Sequence, residues 1–239
     1  MATLDVNGMK LRIESALWRS QYSDVYKVVD DRNQDVYALK VVRIPESDHD
    51  AFQTVSEWVM AEQNMVRSLP MDHANIIKFF YAGVGVAEKK MVCFILSEFC
   101  PDKVWNMGPG DLSEKRILQI FRDVLMGLLK LHSQEPPVAY RRIMGGDLFI
   151  GEDGMVKLGH FRRCSTVHRA YHSAEEIQSA RLEIKRNTAK ESRAPEQVDF
   201  SRGYIISEKV DIWALGVLLF RLAFFRSPFE ELGSEAEKA

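Results

Sequence analysis

The sequence lacks two features that would assign it at once to a broad class of protein. It has no strong excess of charge of one sign, with a formal net charge of -2 and a pI near 6.3, which argues against an electrostatic scaffold for nucleic acid. It also has no apolar run long enough to cross a bilayer, because the longest, residues 217–225, is interrupted by Arg221. We therefore expect neither a nucleic-acid partner nor a transmembrane segment.

Cysteine is scarce as well. The three cysteines, Cys93, Cys100 and Cys164, are odd in number and are not at the spacing of metal ligands. No signal-like apolar segment follows Met1. A reducing compartment is favoured, with the cytoplasm as the default location, and no metal site is expected.

What is present is enough apolar sequence for one compact domain over residues 1–239, with a single large core or two small lobes. The first hundred residues alternate between apolar and polar positions around turn signals, and one stretch has helical spacing. We expect strands within 10–44, a helix over 51–69 that ends at Pro70, and strands over 76–86 and 91–99. These segments predict a five-stranded antiparallel sheet with one helix.

The second half of the chain has a helical pattern instead. A helix capped by Asp111 or Ser113 should carry an apolar stripe from Ile117 to Leu131. Two short strands over 148–150 and 155–158, a charged helix over 173–186 and a buried helix over 210–225 complete the pattern. The fold class is therefore α+β, with a small sheet lobe over 10–97, a hinge over 98–100 and a mainly helical lobe over 101–239.

Short motifs occur along the chain in the order in which protein kinases carry them. They are residues 36–40 (VYALK), Glu62, 96–100 (LSEFC), 140–142 (YRR), Asp147, 160–162 (HFR), 194–196 (APE) and 211–216 (DIWALG). The chain therefore resembles a two-lobed protein kinase from about Leu11 to Phe229. Its finer resemblance is to the Numb-associated kinase family, which carries strings like 131–137 (LHSQEPP), 183–188 (EIKRNT) and 227–230 (SPFE).

The resemblance implies a nucleotide pocket. It implies that Lys40 grips the nucleotide phosphates and pairs with Glu62, although Lys40 could instead only lie near an empty pocket. The other implied positions are the adenine contacts Val25, Ala38 and Phe149, the gatekeeper Ser97, and the hinge residues Glu98 and Cys100. The three adenine contacts could equally pack against each other and close the site.

Several positions differ from the kinase pattern. Arg142 stands where the family has its catalytic carboxylate, and a guanidinium does not accept a proton. His160 stands where a carboxylate binds magnesium, a hard cation that prefers oxygen ligands. Asp147 replaces the catalytic-loop Asn. The glycine-rich loop is altered too, with Trp18, Ser20 and Ser23 at its glycine positions.

These differences predict a chain that is not an enzyme, a pseudokinase that binds neither metal nor cofactor. It would act as a scaffold or allosteric partner for other proteins, such as an active kinase or a trafficking adaptor. The resemblance further implies clathrin-dependent trafficking or actin regulation. Two alternatives stay open: a switch that binds ATP without divalent metal, and a weakly active atypical serine/threonine kinase. Because a full kinase continues through several more helices after Phe229, the helical lobe is expected to lack its last helices.

Overall fold

A computed structural model describes residues 3–45, 49–68, 72–87 and 90–229. The chain divides into two compact units. The first contains the chain up to Pro101 together with His160–Arg162, and the second contains Asp102–Gly159 and the chain from Arg163 onward. Each unit has its own secondary structure.

The first unit is an antiparallel sheet with one helix. Its elements are β1 (Thr3–Val6), β2 (Met9–Arg19), β3 (Ser23–Asp30), β4 (Val36–Arg43), α1 (His49–Ser68), β5 (Phe79–Ala87) and β6 (Lys90–Glu98). The strand order is β1-β2-β3-β4-β6-β5, so the strand pair that follows α1 enters the sheet beside β4. The predicted helix end at Leu69 and Pro70 lies outside the described residues.

The sheet has six strands, which corrects the predicted five. The additional strand, β1, pairs with β2 through a tight hairpin in which Val6 lies opposite Met9. Both residues of the turn have positive φ, 54° at Asn7 and 77° at Gly8. Asn-Gly is the preferred dipeptide for such turns, because both residues tolerate this backbone conformation.

The two faces of the sheet are both covered. On one face Leu39 and Val41 of β4 lie in a cluster with Leu11 of β2 and Phe94 of β6. On the other face, Val42 and Cys93 pack with two valines of α1. The alternation of side chains along β4 thus directs odd-numbered residues to one core and even-numbered residues toward the helix.

The second unit is mainly helical. Its elements are β7 (Asp102–Lys103), α2 (Glu114–His132), β8 (Leu148–Ile150), β9 (Val156–Leu158), α3 (Ala174–Asn187), α4 (Pro195–Val198) and α5 (Lys209–Phe224). The three short strands form a small antiparallel sheet in the order β7-β8-β9. Of the two predicted caps of α2, Ser113 is the one used: its hydroxyl accepts the backbone N–H of Arg116.

The core of this unit begins at α2. Ile120, Val124, Leu128 and Leu131 are fully buried, as the apolar stripe predicts, whereas Leu125 of the same stripe is 39% exposed. The predicted architecture, an antiparallel sheet with one helix followed by a mainly helical part, is confirmed. Among the described residues, no helix combines the length and hydropathy needed to span a bilayer.

Candidate active site

Lys40 is positioned by the centre of the sheet. Its Cα lies opposite Val25 of β3 on one side and Ile95 of β6 on the other. Ala38, two residues earlier on β4, lies opposite Ser97. Because directly opposed residues and residues two apart share a face, the structure places Val25, Ala38, Lys40 and Ser97 on one face.

Lys40 pairs with Glu62 of α1, and the predicted ion pair is therefore present. The Lys40 Nζ atom lies 2.5 Å from Oε2 of Glu62. The side chain of Lys40 is 19% exposed and that of Glu62 is 5% exposed. Since the pair joins a strand in the middle of the sheet to the only helix described in this unit, it fixes the register of the helix against the sheet.

Positive charge surrounds the Glu62 carboxylate. Burial alone would raise the pKa of Glu62, but the fields of Lys40, His160 and Arg162 outweigh it and hold this pKa below its ordinary value. Glu62 is therefore ionised at neutral pH despite its burial.

The segment His160–Arg162 belongs to the first unit, although it lies far from it in sequence. Phe161 is fully buried and makes an edge-to-face contact with Phe79 at a centroid distance of 5.7 Å. The guanidinium of Arg162 lies 4.7 Å from the centre of the Trp58 ring on α1. His160 has a φ of 56°, an uncommon backbone conformation for a residue other than glycine.

The predicted hinge residues lie at the end of β6. The backbone N–H of Lys78 donates to Oε1 of Glu98 at 2.8 Å, and the backbone N–H of Glu98 donates to the Lys78 carbonyl at 2.9 Å. Two hydrogen bonds therefore tie Glu98 to Lys78, the residue that immediately precedes β5. The side chain of Cys100 is half-buried.

The hairpin between β2 and β3 holds the residues at the predicted glycine positions. Ser20 and Ser23 close the turn, since the Ser20 hydroxyl donates to the Ser23 carbonyl at 2.9 Å and accepts the Ser23 N–H at 3.1 Å. Trp18 lies opposite Val25, on the Lys40 face of the sheet, and is 62% exposed. Most of the Trp18 side chain is therefore in contact with solvent.

In the second unit, Arg142 and Asp147 form an ion pair with each other, between the guanidinium Nε and Oδ2 of the carboxylate. Asp147 is buried, and its N–H donates to the Met144 carbonyl in a single 3₁₀ turn. The structure thus joins two of the predicted positions, and it places the third, His160, in the first unit.

Asp211 of α5 holds the loop that carries Arg142. It is fully buried, and its carboxylate accepts the backbone N–H groups of Tyr140 at 2.6 Å and Arg141 at 2.7 Å. Nε2 of His132 lies 2.9 Å from the same carboxylate. Sequence reasoning recognised the motif around Asp211 but gave this residue no role. The sequence offered one signal for such a role, a carboxylate in the first turn of a mostly apolar helix.

Phe149 lies on β8 in the second unit, opposite Lys157 and Lys103. The Lys103 ammonium lies 4.8 Å from the centre of its ring. The adjoining turn contains Glu152 and Asp153, both exposed, and Asp153 accepts the N–H of Met155. These two acids are therefore solvated turn residues.

Comparison with known families gives a match along most of the chain. A family model described as "Protein kinase domain" matches residues 12–239. A protein of Dictyostelium discoideum named as a probable serine/threonine-protein kinase is 31% identical over 241 residues, which are 97% of this chain and 21% of that protein. Another protein of that organism with the same kind of name is 33% identical over 236 residues, 95% of this chain and 28% of the relative.

A third relative carries a more specific name. The actin-regulating kinase PRK1 of Saccharomyces cerevisiae is 34% identical over 145 residues, 59% of this chain and 18% of that protein. The chain spans between 18% and 28% of the length of these three relatives.

These matches overturn the prediction that the chain is not an enzyme. The matched family is that of protein kinase domains, and the two relatives aligned along nearly the whole chain are named as kinases. The prediction gave decisive weight to Arg142 and His160. Phosphoryl transfer, however, depends mainly on positioning and electrostatics, and the Lys40–Glu62 pair that serves both is present.

Proposed function

This chain belongs to the protein kinase domain family, and we propose that it is a serine/threonine kinase of the actin-regulating type that transfers phosphate from ATP slowly. The observation that carries the proposal is the ion pair between Lys40 and Glu62. In protein kinases the equivalent pair must be in place for transfer, because the lysine positions the phosphates.

The face of the sheet around this pair suits a nucleotide. Val25 and Ala38 are half-buried beside Lys40, so they offer apolar contact area on the same face as an ammonium group. Ser97 adds only a small side chain there. Apolar surface with a few directed polar groups is the usual composition of a ligand site.

The reaction can proceed without a carboxylate at position 142. The γ-phosphorus of ATP loses its bond to the bridging oxygen and gains one to a serine or threonine oxygen, so ADP leaves and the hydroxyl proton is released. Arg142 does not accept that proton, which goes instead to solvent or to an oxygen of the transferred phosphate. Since a general base contributes about 10² to 10⁴-fold, we expect the rate to be lower by a factor of that order.

The actin-regulating role rests on similarity. It is supported by the name of the yeast relative and by the strings that resemble the Numb-associated kinase family. Phosphorylation of a trafficking adaptor, a regulatory role toward another kinase, and a cytoplasmic location stay predictions that accompany it.

The test is phosphate transfer from γ-labelled ATP to a mixture of serine- and threonine-containing peptides, with the products located by mass spectrometry. We expect slow labelling by the wild-type chain. Lys40→Ala and Glu62→Gln should each reduce it by about tenfold or more, because each removes one half of the pair. Lys10→Ala is the matched control, since Lys10 is an exposed lysine of β2, and it should leave labelling unchanged.

The thermal unfolding of each variant must be measured as well, so that a loss of labelling can be distinguished from a loss of folding. Removal of Lys40 leaves a buried carboxylate without its partner, which costs about 3 to 5 kcal/mol, so labelling must be compared at a temperature where every variant is folded. Labelling by the wild-type chain that is no greater than that of folded Lys40→Ala would contradict the proposed function.

A further inference from the structure

Magnesium is the metal that the family implies, and the residues at its two expected positions do not fit it. A divalent metal of this kind requires near-octahedral oxygen ligands, and protein kinases supply them from an Asp and an Asn side chain. Here the two positions hold His160, which offers ring nitrogens, and Asp147, whose carboxylate is in an ion pair with Arg142. Among the described residues, no group of three or more His, Cys, Asp or Glu side chains could hold a metal ion.

The charges of the first unit favour an anion over a metal cation. The Lys40 ammonium lies 2.5 Å from the Glu62 carboxylate, and the Arg162 guanidinium lies 4.7 Å from the centre of the Trp58 ring, one turn earlier on the same helix. Both cations act on the Glu62 carboxylate. His160 acts on the same carboxylate. Its side chain is either neutral or cationic, so it does not reduce the positive charge of the group. The group therefore has a net positive charge of at least one. A fixed positive charge attracts a triphosphate and repels magnesium.

In the second unit, too, a cationic side chain lies where a protein kinase would hold a metal ion. Asp147 is buried, and a buried carboxylate needs a counter-charge. Arg142, five residues earlier, supplies it within the same loop. A metal ion at this carboxylate would be repelled by the adjacent guanidinium, which is always charged.

We propose that this domain binds ATP as the metal-free anion, with the cationic side chains Lys40 and Arg162 supplying the charge that magnesium supplies elsewhere. The inference rests on the proposed function in one respect: ATP is taken as the phosphate donor. It adds that the donor needs no divalent cation to bind. The mismatch between the family's metal and the donor groups of this chain is the observation behind it.

The experiment is a calorimetric titration of the wild-type chain with ATP, once in excess EDTA and once in excess magnesium. We expect ATP to bind in EDTA with an affinity equal to or higher than that in magnesium, since chelated ATP carries two fewer negative charges. An affinity about tenfold or more higher in magnesium would overturn the inference, as would a failure to bind in EDTA.

A variant of Arg162 shows whether the named cations are responsible. Arg162→Gln removes one of the two cations assigned to the triphosphate, and it should weaken ATP binding in EDTA by about tenfold or more. Arg163→Gln is the matched control, because Arg163 is the next residue and donates to the Arg186 carbonyl, and it should keep the wild-type affinity. Wild-type affinity of Arg162→Gln in EDTA would contradict the assignment.

Failure of this inference is distinguishable from failure of the proposed function. Binding that requires magnesium, together with peptide labelling, would overturn the inference and leave the kinase proposal standing. ATP binding in EDTA without peptide labelling in either buffer would support the inference and contradict the kinase proposal. The titration requires no catalysis, so it decides the metal question by itself.

Discussion

At the scale of single residues, Asp211 is the residue on which the loop 140–142 depends most directly. Its carboxylate is fully buried and accepts two backbone N–H groups, from Tyr140 and Arg141. Hydrogen bonds to a charged acceptor contribute about 1.5 to 3 kcal/mol each. The loop is thus held by its main chain, which leaves the side chain of Arg142 free to pair with Asp147.

We expect Asp211→Asn to destabilise the second unit by about 2 to 3 kcal/mol. An amide has only one oxygen, so at least one of the two N–H donors faces an NH₂ group and is left buried without an acceptor. The measurement is the free energy of unfolding from urea denaturation. Asp199→Asn is the control, because Asp199 is exposed, and it should change the value by less than about 0.5 kcal/mol. Equal effects of the two variants would contradict the anchoring role.

Sequence reasoning identified a long-range contact only where a family resemblance implied it. The Lys40–Glu62 pair joins residues 22 positions apart, and it was expected because the chain resembles protein kinases, whereas periodicity predicted only the strand and the helix that carry the two residues. The contact of Asp211 with Tyr140 joins residues 71 positions apart. No local pattern specifies such a contact, since it depends on how α5 packs on the loop.

At the scale of elements, α3 shows how a terminus is specified. The predicted helix over 173–186 is observed at Ala174–Asn187. Ser173 accepts the N–H of Glu176 at 3.1 Å, and the Glu176 carboxylate accepts the N–H of Ser173 at 3.3 Å. This reciprocal pair is a capping box, a motif that can be read from sequence. By contrast, β1 was not predicted although Asn7 and Gly8 carry a hairpin signal, because a strand of four residues gives only a short alternation of apolar and polar positions.

Ser173→Ala should weaken the start of α3. The change removes the acceptor for one N–H of the first turn, and N-cap substitutions of this kind cost about 1 kcal/mol. For a chain of this size we expect the melting temperature to fall by about 2 to 4 °C. Ser133→Ala is the control at a helix C-terminus, where the hydroxyl only donates to the Lys130 carbonyl. Circular dichroism melts measure both. A larger effect of Ser133→Ala would contradict the capping assignment.

At the scale of the whole molecule, the pKa shifts of two buried groups, Glu62 in the first unit and Tyr140 in the second, act at opposite ends of the pH scale. In the first unit, the cations around Glu62 outweigh its burial and lower its pKa from 4.5. In the second unit, burial and the nearby Asp147 charge raise the pKa of Tyr140 well above 10.0. Glu62 therefore contributes stability that is present above about pH 4.5 and is lost as the pH falls through its folded pKa. Tyr140 contributes stability that is present below about pH 10 and is lost as the pH rises toward its folded pKa.

Two variants should separate these contributions. In Glu62→Gln the acid-dependent loss becomes shallower below about pH 4.5, because the side chain no longer gains a proton on unfolding. In Tyr140→Phe the alkaline loss becomes shallower above about pH 10, and the variant also loses the hydrogen bond from the Tyr140 hydroxyl to the Gly159 carbonyl, worth about 1 kcal/mol. Melting temperatures recorded from pH 3 to pH 11 test both slopes. An unchanged alkaline slope in Tyr140→Phe would contradict the contribution of Tyr140 to stability. Each variant is the control for the other, because Glu62→Gln should not alter the alkaline slope and Tyr140→Phe should not alter the acid slope.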